Sequence, residues 1–441
     1  MKRLLSLLLC AVLALFCATT AQAASVSITL TASEYALHYA FDAGAQDPFV
    51  ILEYTTPAEK GWMMLYSEDG HFEGDVSLAY SGAGGKTSVA LTSARTTGSI
   101  GKASTTLPKA ADYQKPTGKS NAKVTDFVLT ETPEGFHYAF NAAGTDYMLL
   151  YWRSKEQTVT QPVYPDENGH YEGDVISDLT FARTQFTVQV KSGSGSMKKE
   201  ATVRKGYQAP EAPQRQEGRL SGVTVCIDAG HQENGRFVNE PIGPGLSGST
   251  SGKGGMAQGT KTNRRESIVC LEIGMLLRDE LLRQGANVIM TREDQMTFHT
   301  NIERCEIAEA GGAQIMLRLH CNNSSNRSKR GIQVYGPLNS DYAKAVADAD
   351  TYRKMGQKLL DAMKTRVGMT LANSTGMVRL NDNYVGNNWA KMMCFLVEMG
   401  YLSNPAEEYL LVTPVYQQWL AEGMADGVYE IAVARGWVQA Q

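Results

Sequence analysis

The sequence predicts an α/β domain, a twisted and mostly parallel sheet flanked by helices, preceded by two all-β sandwich-like repeat modules. Three observations carry this. From Leu220 onward, short apolar runs alternate with segments of helical period, the signature of strand–helix–strand units. Residues 25–207 instead alternate apolar and polar positions over short runs punctuated by Asp-Gly and Asn-Gly turns. That first part also repeats itself at an offset of 99 residues, His38-Tyr-Ala-Phe-Asp-Ala returning as His137-Tyr-Ala-Phe-Asn-Ala.

The chain opens with Lys2 and Arg3 before an apolar run over residues 4–17 and the small-x-small triplet Ala21-Gln22-Ala23. This is the pattern of a signal peptide over residues 1–23, cleaved after Ala23, so the mature protein is expected to be secreted, extracellular or at the cell wall. No later run is long enough for a transmembrane segment in the mature chain. A net charge of -4 gives no reason to expect nucleic acid as a partner. Cys10 and Cys17 fall within the leader. Cys226, Cys270, Cys305, Cys321 and Cys394 remain, an odd number without a C-x-x-C, and they read as buried free thiols.

Residues 24–110 and 121–207 are the two modules. Between the two shared landmarks, His38 to Val76 and His137 to Val175, there is no net insertion, so the copies are expected to share one fold. Some 90 residues of short strands with turns at this spacing point to a small β-sandwich of the immunoglobulin or fibronectin type III kind. His38, His71, His137 and His170 recur at equivalent positions in separate copies, which marks duplication and a surface or structural role, not one shared metal site. Tandem β-modules on an exported chain imply a cell-wall or surface ligand. The segment 208–218, carrying Ala-Pro-Glu-Ala-Pro, is expected to be an extended, exposed linker.

The α/β domain spans residues 219–441. Its opening strand, residues 223–227, runs into Asp228-Ala-Gly-His231. A long loop over residues 232–263 follows, with seven glycines in residues 242–259; it lacks the strand–GxxxxGK[ST]–helix context of a phosphate loop and reads as a mobile flap beside a site. A helix over residues 265–284 carries Glu266 in its first turn and Gly285 at its end. Next come a strand (287–292), a helix (301–310), a strand (313–319) delivering His320, and a strand (331–335). A helix (342–365), a strand (376–380), a strand (393–397) delivering Glu398, and a closing helix (415–435) complete the domain.

Four groups thus stand at element ends: His231, Glu266, His320 and Glu398. If the strands are parallel neighbours, all four meet on one edge of the sheet. Two histidines and one carboxylate are the ligand set of a catalytic zinc with an open position, and a further carboxylate supplies the proton acceptor that hydrolysis needs. Glu240 and Glu272 are rival carboxylates. No element fixes Glu240, and Glu272 lies six residues beyond Glu266, on a different side of the helix.

These residues resemble the zinc-dependent N-acetylmuramoyl-L-alanine amidases of the amidase_3 type. The likeness rests on Asp228-Ala-Gly-His231, Arg265-Glu266, Thr291-Arg292-Glu-Asp294 with Arg304 downstream, Leu319-His320-Cys-Asn322, and Val397-Glu398-Met-Gly-Tyr-Leu-Ser-Asn-Pro405. It implies a zinc ion (Zn2+) held by His231, Glu266 and His320, with Glu398 as the catalytic proton shuttle and peptidoglycan as substrate. The chain departs from the family at Gln232-Glu233, where glycine usually follows the first histidine, at Cys270, where asparagine is common, and in Leu317-Arg318-Leu319, where a serine usually precedes the second histidine. Asn322 and Arg379 are candidates for positioning substrate, Asp228 for supporting the His231 loop, and His299 reads as surface. The expected activity is hydrolysis of the amide between N-acetylmuramic acid and L-alanine. Alternatives are a zinc peptidase or deacetylase acting on another wall bond, or a non-catalytic wall-binding protein.

Overall fold

The structure is a computed structural model that describes residues 26–440, except 35, 58–59, 79–82, 97, 112–122, 133–134, 144–147, 154–157, 164, 177–183, 193–196, 206–209, 233–237, 251–254, 263 and 369–376. The expected leader lies outside the described residues. Among those described, no helix is long and apolar enough to cross a membrane. The chain divides into two compact units, residues 1–113 and 114–441.

The first unit holds β1 (Thr29–Ala32), β2 (Ala36–Asp42), β3 (Phe49–Thr55), β4 (Lys60–Tyr66), β5 (His71–Ser77), β6 (Gly85–Ser93) and β7 (Ser99–Leu107). They form a three-stranded sheet, β1-β2-β5, and a four-stranded one, β4-β3-β6-β7. Alternate residues from both sheets, among them Leu37, Phe41 and Phe72 from one and Leu52, Val89 and Leu91 from the other, close one core, as strand periodicity requires of a sandwich.

The second unit begins with β8 (Lys123–Thr132), β9 (Gly135–Ala143), β10 (Met148–Arg153), β11 (Thr158–Val163), β12 (His170–Ile176), β13 (Thr184–Ser192) and β14 (Met197–Lys205). Their sheets, β12-β9-β8 and β11-β10-β13-β14, repeat the order of the first set. The spacing slips once. Leu52 pairs with Leu91 and Leu150 with Val190, so the pairing partners lie 99 residues apart while Leu52 and Leu150 lie 98 apart. A one-residue deletion before β10 is made good before β12, which is why the landmarks show no net insertion.

His38 and His71 face outward on β2 and β5, each held by carboxylates: His38 Nδ1 lies 3.1 Å from Asp75, His71 Nδ1 2.7 Å from Asp42, and Glu73 reaches both rings. His137 and His170 repeat this with Asp174, Asn141 and Glu172. The surface role expected of the four histidines fits this placement.

The α/β part is built on β15 (Thr224–Ala229), β16 (Asn287–Met290), β17 (Ile315–Asn322), β18 (Gln333–Gly336), β19 (Met377–Leu380) and β20 (Met393–Tyr401), in the sheet order β16-β15-β17-β20-β18-β19. The first four strands of that order are mutually parallel, and β18 runs antiparallel to β20. The central strands β15, β17 and β20 are mostly apolar and almost wholly buried, as strands covered on both faces are, and Asp228, Arg318, His320 and Glu398 interrupt them.

The helices are α1 (Glu266–Arg283), α2 (Asn301–Ala310), α3 (Asp341–Val346), α4 (Ala349–Val367), α5 (Val385–Trp389), α6 (Glu407–Leu410) and α7 (Pro414–Ala434). The capping box of Thr300 and Glu303 starts α2 at the predicted residue. One helix expected over 342–365 is two. Ala347 is extended (φ -167°), and Asp348 caps the second by accepting from Thr351 N at 2.7 Å. α1 lies between the sheet and α7 and buries most of its residues. On α7, Gly427 leaves room for α4, for a Cβ there would stand 2.9 Å from Leu359 Cα.

The linker is exposed as expected but is tied down: Arg278 donates to Pro210 O (3.2 Å), Gln216 N to Leu282 O (3.0 Å) and Arg215 to Gly285 O (3.0 Å). All five cysteines of this part are free and buried.

Candidate metal centre

β15 ends at Ala229, and the chain turns through Gly230 to His231. Gly230 is required by space, since a Cβ there would stand 2.4 Å from Leu319 O and 2.6 Å from the His320 ring. His231 takes φ +57°, a left-handed conformation costly for a non-glycine residue and held only where surroundings impose it. Two guanidiniums impose it. Arg304 donates to Ala229 O (2.9 Å) and His231 O (3.1 Å), and Arg292 to Ala229 O (2.7 Å) and Gly230 O (2.8 Å).

His320 and Glu398 do not follow their strands, as the sequence reading has it, but lie inside them. β17 and β20 continue to Asn322 and Tyr401, pairing His320 with Glu398 in register. Continuation is possible because the edge beyond the predicted strand ends is still covered; Glu266 accepts from Cys321 N at 3.1 Å.

Glu266 is the hub. Its Oε1 lies 3.1 Å from His231 Nε2 and 3.0 Å from His320 Nδ1, and its Oε2 accepts from Ala257 N at 2.8 Å. The ligand atoms of His231, Glu266 and His320 all lie within 4.8 Å of one another, which makes them, among the described residues, the one group of three or more able to share a metal ion. The two imidazole rings are 4.9 Å apart and nearly perpendicular.

Electrostatics suit the part. Burial works to raise the Glu266 carboxyl, but its histidine partners hold it well below the usual carboxylate range. Burial pushes His320 down, toward the neutral form that binds metals. Burial and the Glu266 charge push Glu398 up to about 8. Two buried atoms in this place, His320 Nε2 and Glu398 Oε2, have no hydrogen-bond partner. Orphaned polar atoms are expensive, so a donor set with two of them on register-paired residues fits a bound cation and the water it brings.

The rival carboxylates are used elsewhere. Glu240 accepts from Ile302 N (2.8 Å) and Asn301 Nδ2 (2.7 Å), satisfying the start of α2. Glu272 pairs with Arg264 and accepts from Gln417 Nε2 (2.9 Å). The described parts of the glycine-rich loop are pinned, unlike the free flap expected: Trp389 donates to Pro241 O, Asn388 to Ile242 O, and Glu408 accepts from Thr260, Lys261 and Thr262.

Asp228 supports the His231 loop through arginines. It is fully buried between Arg304 and Arg318 and accepts from Thr291 Oγ1 at 2.7 Å. Arg318 also bonds Asn301 (2.7 Å), which leads to Glu240. The role of Arg318 is missed by the sequence reading, although a guanidinium inside an apolar strand is itself the signal of a buried charge partner. Gln232 donates to His299 O (3.2 Å) and accepts from Arg304, so this departure from the resembled family braces the loop. Asn322 is tied to Gln333 (3.1 Å), whereas Arg379 is exposed beside Tyr335 on β19.

Residues 225–430 match the family described as Amidase_3: N-acetylmuramoyl-L-alanine amidase. The chain is similar to a germination-specific N-acetylmuramoyl-L-alanine amidase of Bacillus subtilis, 25% identical over 231 residues, 49% of this chain and 83% of that one. It is likewise similar to the probable cell wall amidase LytH of Staphylococcus aureus, 26% identical over 218 residues, 48% of this chain and 60% of that one. Among solved structures, an N-acetylmuramoyl-L-alanine amidase from Clostridium difficile 630 is 23% identical with a TM-score of 0.38, covering 48% of this chain and 96% of that one.

Proposed function

We propose that the chain, whose residues 225–430 match the Amidase_3 family, is an exported, zinc-dependent hydrolase that cleaves the amide between N-acetylmuramic acid and L-alanine in peptidoglycan. The observation that carries the reading is the meeting of His231, Glu266 and His320 around one point, with the orphaned Glu398 beside it. Zinc, when bound by these three residues, supplies a Lewis acid that polarises the scissile carbonyl and makes water acidic enough to attack near neutral pH.

The chain's own residues do the rest. Glu266 brings a fixed negative charge and orients His320 through its Nδ1, while burial pushes that ring toward the neutral form. Glu398 ionises once positive charge enters the site, takes a proton from the attacking water, and returns it to the leaving amine of L-alanine. Its burial keeps bulk water from competing for that proton.

We take residues 24–110 and 121–207 as two copies of one sandwich module that holds a cell-wall or surface ligand. Support comes from their shared strand order and from the outward His–Glu–Asp face kept in both copies.

The test is digestion of purified muropeptides by the full chain, with zinc content measured on the same sample. Mass spectrometry should find peptide-free glycan and stem peptides beginning with L-alanine. Products cut only between amino acids, or only deacetylated sugars, would overturn the assignment.

A further inference from the structure

We infer that Arg292 is a positioning residue that sets the separation between His231 and Glu266. The inference rests on the metal reading above for its consequence and on hydrogen bonds alone for its geometry.

Arg292 follows β16 and is 2% exposed. Its guanidinium donates to four backbone carbonyls and to no carboxylate: Nε to Ala229 O (2.7 Å), Nη2 to Gly230 O (2.8 Å) and to Ser267 O (2.7 Å), and Nη1 to Asp294 O (2.9 Å). The side chain of Asp294 is not a partner, since it accepts from Met296 N, Thr297 N and Thr297 Oγ1. Ala229 and Gly230 immediately precede His231, and Ser267 immediately follows Glu266. One nitrogen, Nη2, therefore joins the backbone beside one candidate ligand, at Gly230, to the backbone beside another, at Ser267.

The two other arginines buried around Asp228 do not do this. Arg304 bonds the His231 loop and Asp228, and Arg318 bonds Asp228 and Asn301, but neither reaches α1. A planar fork with fixed N–H directions suits three carbonyls from two segments; an ammonium on a flexible stem carries the charge without that geometry. Buried carbonyls left without a donor would each cost energy, so the fork also resists separation of the two segments. Gln295 supplies an internal control. Its Nε2 donates to the same Ser267 O (2.8 Å) and, unlike Arg292, to no carbonyl of the His231 loop.

The experiment compares full-length wild type, Arg292→Lys and Gln295→Met. Zinc affinity is read by competition with a chelator, and hydrogen exchange and melting are read on the metal-free proteins. Arg292→Lys should bind zinc about 10–100-fold more weakly, the usual effect of losing a group that orients a ligand. It should also speed exchange in peptides covering residues 229–231 and 266–268 together, and Gln295→Met should change neither reading across both segments. Exchange altered in only one segment, or in neither, overturns the tie whether or not zinc binds. So does an Arg292→Lys protein that melts lower yet takes up zinc with wild-type affinity. Wild type without zinc would instead strike the metal reading, leaving the exchange result to decide the tie.

Discussion

His320 and Glu398 stand opposite each other in register on β17 and β20, and each keeps one buried atom, Nε2 and Oε2, without a hydrogen-bond partner. The neighbouring hub is already satisfied, because Glu266 collects both imidazoles and two backbone N–H groups. The unmet demand thus falls on the register-paired His320 and Glu398 and not on Glu266.

Glu398→Gln should lower turnover of muropeptides by about 10²–10⁴-fold, the range expected for a positioned general acid–base. Zinc content should be unchanged, because Glu398 belongs to no group of three with the histidines. Parallel assays of turnover and bound metal check this, and loss of both together would make Glu398 a ligand.

The same residue predicts an unusual pH dependence for the metal-free protein. Glu398 is raised to about 8 by burial and by Glu266, above its value of about 4.3 in an unfolded chain. A raised carboxyl contributes stability that is present in mild acid and lost as pH rises through 8. Metal-free Glu398→Gln, which cannot ionise, should therefore gain on wild type between about pH 5 and 9, by about 2–4 kcal/mol at the alkaline end. Denaturant melts at several pH values measure the gap; a gap independent of pH would refute the prediction.

Glu240 and Glu266 should separate cleanly. Glu266→Gln removes the shared partner of both imidazoles and should abolish stoichiometric zinc. Glu240→Ala removes the acceptor at the start of α2 and should cost about 1 kcal/mol of stability while zinc remains. Metal analysis beside melting curves distinguishes the two outcomes.

Much of this site was legible in the sequence, for physical reasons that differ by residue. His231 and Glu266 are placed by turns and helix starts, which local signals report well, and the capping box at Thr300 likewise fixes α2 to the residue. The sequence puts His320 and Glu398 at strand ends, because a polar side chain in an apolar run looks like an end. Pairing between β17 and β20 overrides that local reading. The roles of Arg292, Arg304 and Arg318 were not legible, since their partners are mostly backbone carbonyls and one aspartate brought near only by the folded sheet. The split between α3 and α4 was missed because its cause is one capping side chain, Asp348, inside a continuous helical pattern.

Asp228 offers the sharpest test of the buried charge network. Burial would raise its carboxyl, yet the Arg304 and Arg318 guanidiniums hold it far below the usual range. A lowered carboxyl contributes stability that is complete above its unfolded value near 4 and is lost only as pH falls through the folded one. Asp228→Asn should cost about 3–5 kcal/mol at pH 7, because two buried guanidiniums lose their shared counter-charge. The deficit should stay level from about pH 8 to 5 and shrink below about 4, the opposite course to the Glu398 gap. Because Arg304 also carries the carbonyl of His231, zinc affinity should fall with stability in this variant. Titrations of stability and of zinc uptake read the two effects, and a deficit that grows toward acid pH would contradict the assigned ion pairs.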